Sequence, residues 1–500
     1  MALTVEPSAT LATPDTVRAP AAPSPAPAPG WQRRDALALT VGALVLYALN
    51  VDFLMRGDAS MYADYVLLGK FDELTLHVGY YALVWAADRA LGAPLGVPVH
   101  ETMVWLDVIA GALTIGIAHR LAAHLFGRRA EAVATAVLLA LCGRVIMNAT
   151  TSEIYMVQTT LVLASFLLFV EERVATAGVA AGAALLVSPL SALCFLFFPV
   201  FDYERAGRVR LAVWLRLAAG ALVVYLPFLA VAGRELFWGR RGLLTMNQGL
   251  PSSPATMLAN FPRFQFKHYT SLLLLLLPAL LVVRAHRRLL AVTLAVVLPH
   301  LYVIARLTEE DMVFVLTTDF FFACWLAAGW RVLAQRAATR IVAVLLVAGH
   351  VASYVGSGAL FHFEPHRGYA AELRDIAREH LVGRDAVMIS DWDVGMSLTF
   401  FGRPSVTTTI ERDPLYRQQF DLTEEYADRS LLEAAELYLL DPWSPSPLNR
   451  WFRSEAQLAQ LAEERSIAKR AERELGLSCR LQRRGTHPLY RCHRAEPESG

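Results

Sequence analysis

The feature that most constrains this chain is a succession of apolar runs between residues 36 and 360, with arginines in many of the gaps. Charged residues make up only 18% of the sequence, against about a quarter in an ordinary soluble domain. Since about 20 apolar residues cross a bilayer as a helix, the pattern predicts a polytopic α-helical membrane protein with about 11 transmembrane helices. The predicted spans are 36–55, 102–122, 131–148, 155–170, 174–188, 190–202, 212–232, 270–283, 289–305, 312–330 and 340–360.

The arginines predict how these helices are oriented, because cytoplasmic loops of membrane proteins hold the excess of Lys and Arg. If Arg33 and Arg34 lie inside, alternation brings the short arginine-rich loops to the same side. Those loops carry Arg128 and Arg129; Arg173; Arg205, Arg208, Arg210 and Arg216; Arg284, Arg287 and Arg288; and Arg331, Arg336 and Arg340. For this alternation to hold, the stretch 174–202 must cross twice or not at all, and Ser188-Pro189 in its middle is a natural break between two spans. The N-terminus is then cytoplasmic, in a bacterial inner or plasma membrane.

Composition divides the chain into three predicted regions. Residues 1–30 are rich in Ala and Pro and predict a disordered cytoplasmic tail, whereas residues 31–360 form the transmembrane domain. Residues 361–500 are more polar and predict a small extracytoplasmic soluble α/β domain, with buried strands at 386–390 and 437–440.

Two further observations concern partners and redox state. Cys479 and Cys492 lie in the last region, where they form either a disulfide or two free thiols. The formal net charge of +1 produces no field that would draw the protein to nucleic acid, so the membrane is the expected partner.

Acidic and aromatic residues gather in the first two predicted outer loops. Asp58 follows the first span, and His77 and Tyr80 open a short apolar stretch that is expected to lie along the interface. Glu153 and Tyr155 stand in the very short second outer loop. Carboxylates that meet at one membrane face could activate an acceptor hydroxyl and orient a substrate, so these residues are candidates for catalysis and binding. A solvated interfacial role for Asp58 is the alternative.

Charged residues elsewhere are candidate binding groups. Arg144 and Asp319 lie within apolar runs, where a charge is costly and marks a functional candidate. For Arg144 the alternative is a structural pair with Glu153. The long outer loop 233–269 is basic, and arginine binds phosphate oxygens through paired hydrogen bonds. Interfacial snorkelling is the alternative for this loop, whose candidate phosphate ligands are Arg240, Arg241, Arg263 and Lys267.

The order of these motifs resembles the GT-C superfamily of membrane glycosyltransferases, and within it the protein O-mannosyltransferase-like branch. The matching segments are Gly57-Asp58, His77-Val78-Gly79-Tyr80, Glu153-Ile154-Tyr155 and Asp319-Phe320-Phe321. The chain departs from that branch at three places. Two prolines that usually precede the Gly are missing, Met61 and Tyr62 occupy a stretch that often holds an acid, and Thr318 replaces an Arg.

The resemblance implies a GT-C-like membrane fold and a sugar donor carried on a polyprenyl phosphate. It implies that Asp58 is the catalytic base or orients the acceptor, that Glu153 assists it, and that the basic loop holds the departing lipid phosphate. Inversion at the anomeric carbon is expected, and a divalent metal is possible but not fixed by any residue pattern. The acceptor stays open between protein, glycan and lipid. The same sequence is also compatible with two other functions: a flippase or transporter for a lipid-linked substrate, and a catalytically degenerate scaffold.

Overall fold

The computed structural model describes most of the region from 30 to 356 and parts of the C-terminal region. The described residues are 30–51, 53, 59–68, 77–238, 265–266, 268–304, 316–356, 372–381, 386–389, 436–440, 469, 472, 476–484 and 488–494. The predicted tail, except for its last residue, therefore lies outside the described residues.

The described part of the region between 30 and 356 is almost entirely helical. Its α-helices are α1 Gly30–Leu49, α2 Ala59–Leu68, α3 Val78–Ala87, α4 Ala93–Leu95, α5 Val99–Phe126, α6 Arg129–Ala140, α7 Gly143–Thr150, α8 Ile154–Val170, α9 Val174–Val187, α10 Phe197–Ala206, α11 Leu211–Trp238, α12 Leu276–Ala279, α13 Arg287–Ile304, α14 Leu316–Ala334 and α15 Ala337–Gly356. A π-helical turn joins α3 to α4, and 3-10 turns occupy Pro189–Cys194, Thr270–Leu275 and Leu280–His286.

Three helices in the described ranges, α5, α11 and α15, are long and apolar enough to cross a membrane on their own. The bent pair α6 and α7 would make a fourth span. The shorter apolar helices α8 and α9 have 17 and 14 residues. The count of about 11 spans thus stays a prediction. The predicted runs at 190–202 and 270–283 contain 3-10 turns instead of one continuous helix, whereas the predicted break at Ser188-Pro189 is present.

The arginines between helices gather at one end of the bundle, where carboxylates pair with them. Arg129 at the start of α6 contacts Asp35 in α1, and Arg120 near the end of α5 contacts Glu171 after α8. The same end holds the pairs Arg331–Glu131, Arg205–Glu172 and Arg210–Asp202. These contacts bring together the loops that the sequence assigned to a single side of the membrane.

The C-terminal strands form a four-stranded sheet. Its members are β1 Ala386–Ile389, β2 Glu436–Leu440, β3 Leu477–Arg483 and β4 Leu489–Arg494, in the order β1-β2-β4-β3. β1 runs parallel to β2, and the other two pairings are antiparallel. The two strands predicted near 386–390 and 437–440 are thus present. Cys479 lies opposite Cys492 in the β3–β4 pair, and the two form a disulfide, which resolves the alternative that the sequence left open.

Candidate functional site

The site is built around a broken helix. α6 and α7 meet at an angle of 60° with only two residues between them, so main-chain carbonyls near the break lose their helical partners. Because a bilayer core offers no water to such groups, other parts of the protein must bind them. The hydroxyl of Tyr47 in α1 donates to the Ala140 carbonyl at 3.3 Å, and His350 Nε2 in α15 donates to the Leu141 carbonyl at 2.7 Å. Thr270 lies 2.7 Å from the other nitrogen of His350, which fixes the ring.

Arg144, in the first turn of α7, is fully buried and pairs with Asp319 in the first turn of α14. Its Nη1 donates to both carboxylate oxygens, at 2.7 and 2.8 Å, and the Tyr269 hydroxyl donates to Asp319 Oδ1 at 2.8 Å. The alternative pairing of Arg144 with Glu153 is therefore wrong. Among the described residues, Arg144 Nε and Nη2 have no hydrogen-bond partner.

A second cluster surrounds Asp107, which lies in α5 and is fully buried. Asp107 Oδ2 accepts a hydrogen bond from the Tyr80 hydroxyl at 3.2 Å and another from the main-chain N–H of Glu153 at 3.0 Å. Its Oδ1 has no partner within the described ranges. The Glu153 carboxylate is close enough to act electrostatically on Asp107.

Asp107 was missed at the sequence level, although a signal for it existed. It stands inside the predicted span 102–122, and an acid in an apolar run is the same signal that singled out Asp319.

The His77-Val78-Gly79-Tyr80 segment docks α3 onto its neighbours. His77 Nδ1 donates to the Val187 carbonyl at the end of α9, at 2.8 Å, and burial lowers the pKa of His77 to about 4, so the ring is neutral at pH 7. A Cβ at Gly79 would lie 2.7 to 2.9 Å from atoms of Leu186 and Val187, so only glycine permits this approach. Tyr80 lies in the same first turn of α3, and its hydroxyl donates to Asp107. The segment therefore acts as an anchor that joins α3, α5 and α9.

Aromatic rings close the cluster from the side of α2. The Tyr62 ring lies 6.0 Å from the His77 ring and 6.1 Å from the Tyr80 ring, both in edge-on geometry. Tyr155 stands in the first turn of α8, two residues after Glu153, and is 9% exposed.

The structure thus brings the predicted residues into two groups at the two ends of α7. Tyr80 and Glu153 meet at Asp107, with His77 anchoring the start of α3 beside them, and Arg144 and Asp319 pair with each other. Within the described ranges, no group of three or more His, Cys, Asp or Glu side chains is placed to hold a metal ion. The predicted residues that lie outside the described residues are Asp58, Arg240, Arg241, Arg263 and Lys267.

Comparison by sequence finds no matching protein family and no matching curated protein. Comparison of folds does find relatives. ArnT from Cupriavidus metallidurans, in a crystal structure bound to undecaprenyl phosphate, superposes with a TM-score of 0.54 at 14% identity, over 93% of this chain and 98% of that one. The oligosaccharyltransferase of Archaeoglobus fulgidus gives 0.52 at 12% identity, over 82% of this chain and 69% of that one.

A second structure of the Archaeoglobus fulgidus enzyme, called AglB, contains an inhibitory peptide and a dolichol-phosphate. It superposes with a TM-score of 0.50 at 12% identity, over 82% of this chain and 70% of that one. At such identities the likeness establishes the fold alone. Both relatives are GT-C proteins, and the chain described here therefore has the GT-C fold that the order of its sequence motifs predicted.

Proposed function

We propose that this protein is a membrane glycosyltransferase that moves a sugar from a polyprenyl-phosphate donor to an acceptor at the outer face of the membrane. One observation carries the proposal: Tyr80 and Glu153, from two separate motifs, meet at the buried Asp107. The fold supports it, because ArnT and AglB have this fold and their structures contain undecaprenyl phosphate and dolichol-phosphate.

The location of this cluster within the bundle supports an outer-face site. Asp107 and Arg120 stand on the same helix, and their separation of 13 positions corresponds to about 20 Å at the rise of an α-helix. The acidic cluster is therefore far from the end where the arginines gather. Since the arginine-rich end is expected in the cytoplasm, the acidic cluster is expected at the opposite face.

In the proposed reaction Asp58 takes the proton of the acceptor hydroxyl while its oxygen attacks the anomeric carbon. The bond from that carbon to the phosphate oxygen breaks, and polyprenyl phosphate departs with the bonding electrons. Attack from the face opposite the phosphate inverts the anomeric centre. Glu153 assists Asp58 in orienting the acceptor, and the basic residues of loop 233–269 stabilise the charge that develops on the phosphate. The acceptor is a protein, a glycan or a lipid, and the region 361–500 contributes to its selection.

The proposal is tested with purified full-length protein in lipid nanodiscs, a panel of radiolabelled polyprenyl-phosphate sugars and membrane extract as acceptor. We expect transfer by the unchanged protein, and a loss of about 100-fold or more in Asp58→Asn and Glu153→Gln, the usual size of a general acid–base contribution. Asp202→Asn is the control, because Asp202 is a buried acid that binds Arg210 at the other end of the bundle.

Different outcomes contradict different parts of the proposal. Equal transfer by Asp58→Asn and the unchanged protein would remove Asp58 from the mechanism. If no sugar of the panel is transferred and the protein moves labelled lipid between the leaflets of liposomes, the protein is a flippase and not a glycosyltransferase.

A further inference from the structure

We propose that Asp107 is a positioning residue of the reaction. It binds the main-chain N–H of Glu153 and the hydroxyl of Tyr80, and so fixes the orientation of the Glu153 side chain. This inference rests on the proposed glycosyl transfer. It adds a buried residue of α5 to a site that the sequence motifs place in the loops.

The first support is the geometry of the bond to Glu153. Glu153 precedes α8 as its N-cap and has an extended backbone, with φ of −138° and ψ of 146°. Its N–H has no partner in the helix and is held by Asp107 Oδ2 at 3.0 Å. The bond uses the main chain of Glu153 and not its carboxylate. Asp107 can therefore fix the start of α8 without engaging the Glu153 side chain in the bond.

The second support is the contrast with the other buried acid. Asp319 is neutralised by Arg144, so that pair satisfies the requirement of a low-dielectric interior for compensated charge. Asp107, by contrast, has no ion-pair partner among the described residues, and its two hydrogen bonds come from the neutral Tyr80 hydroxyl and the main-chain N–H of Glu153. An ion pair therefore does not explain why α5 carries an acid at this position.

The third support is the free-energy cost of burying the Asp107 carboxylate. A buried carboxylate in an apolar helix is expensive, and Asp107 also leaves Oδ1 without a partner in the described part of the chain. An apolar side chain would fill the same space without that cost. Two hydrogen bonds from two different motifs are what the carboxylate adds, and both end on Oδ2. Asp107 thus joins α3, α5 and the start of α8 at one atom.

The test compares Asp107→Asn with Asp107→Leu in the nanodisc assay, with kcat and the donor KM measured separately. Asparagine keeps an oxygen that can accept both bonds, so we expect its kcat to stay within about fivefold of the unchanged protein. Leucine accepts neither bond, and we expect kcat to fall about 100-fold, the size of effect that a misplacement of about 1 Å produces. The donor KM is expected to stay within about twofold in both, since Asp107 binds Glu153 and Tyr80 and not the donor.

A double variant separates positioning from general destabilisation. Tyr80→Phe removes only one of the two bonds, and in an Asp107→Leu background it should lower kcat no further, because the shared contact is already lost. If Asp107→Leu does not fold, Asp107→Thr takes its place, since threonine is too short to reach the Glu153 N–H. Asp202→Asn is the matched control and should leave the kcat of the folded fraction unchanged.

The possible results separate this inference from the proposed function. A kcat for Asp107→Leu equal to that of the unchanged protein would overturn the inference and leave the glycosyltransferase intact. An Asp107→Asn variant as slow as Asp107→Leu would also overturn it, because the charge and not the accepting oxygen would then matter. An unchanged protein that transfers no sugar would overturn the proposed function itself.

Discussion

The guanidinium of Arg144 is fully buried, so its charge depends on the groups that the fold brings to it. Asp319 supplies the opposite charge through two hydrogen bonds, and Tyr269 satisfies one of the same carboxylate oxygens. Removal of one member of such a pair leaves an uncompensated charge in a low-dielectric interior, whereas removal of both leaves only a change of shape. At the scale of single residues the pair therefore behaves as a unit.

This unit gives a stability prediction. Asp319→Leu, with Arg144 unchanged, should destabilise the protein by about 3–5 kcal/mol, the usual cost of breaking a buried ion pair. The double variant Arg144→Met/Asp319→Leu should recover most of that loss. The measurement is the midpoint of thermal unfolding in detergent, followed by intrinsic fluorescence. A single variant as stable as the unchanged protein would show that the pair does not hold the fold.

For Arg144, Asp319 and Asp107 the sequence predicts the importance of the residue more readily than its partner. Arg144 and Asp319 could each be identified, because a charge in an apolar run is visible locally. Their pairing could not, since 175 residues separate them and the competing partner Glu153 was closer along the chain. Asp107 carried the same local signal, yet its two hydrogen-bond partners come from other segments, 27 and 46 residues away.

At the scale of elements, the break between α6 and α7 could not be predicted. The sequence indicated one span at 131–148, and the region of the break holds Leu141, Cys142 and Gly143 but no proline. The groups that stabilise the break come from distant parts of the chain: Tyr47 is 93 residues from its acceptor and His350 is 209 residues from its own. The break after α9 was predicted correctly, because Ser188-Pro189 marks it locally.

The broken helix gives a second stability prediction. His350→Leu should leave the Leu141 carbonyl without its partner and cost about 1–3 kcal/mol, the desolvation penalty of a buried unsatisfied group. Hydrogen exchange should quicken in α7, because the bond holds the end of α6 from which α7 departs. Tyr225→Phe is the control, since Tyr225 lies on the largely exposed helix α11. Unchanged unfolding and exchange in His350→Leu would argue that the carbonyl has another partner.

At the scale of the whole molecule, charge is distributed unequally between the two ends of the bundle. Paired arginines occupy the end where α5 stops and α6 begins, while Asp107 and Glu153 lie towards the other end. Arg374, in the helical residues 372–381, acts electrostatically on His100 in the first turn of α5. Arg374 therefore lies near the end of α5 that is opposite to the paired arginines.

This arrangement predicts which end is accessible from outside the cell. Arg128→Cys, at an exposed position between α5 and α6, should react with a membrane-impermeant maleimide only after the cells are permeabilised. Leu95→Cys, 73% exposed in α4, should react in intact cells. The native free cysteines Cys142, Cys194 and Cys324 are buried and should give little background. The reverse labelling pattern would invert the proposed topology and place the acidic cluster in the cytoplasm.

The sheet order β1-β2-β4-β3 places β4, the last strand among the described residues, between β2 and β3. During synthesis β2 emerges long before β4, so the edge of β2 that pairs with β4 stays open until residues 489–494 have been made. The Cys479–Cys492 bond must also wait for this final stretch. A chain truncated before residue 489 would therefore lack both the strand that joins β2 to β3 and the disulfide partner of Cys479, so its sheet could not form even with helices α1 to α15 complete.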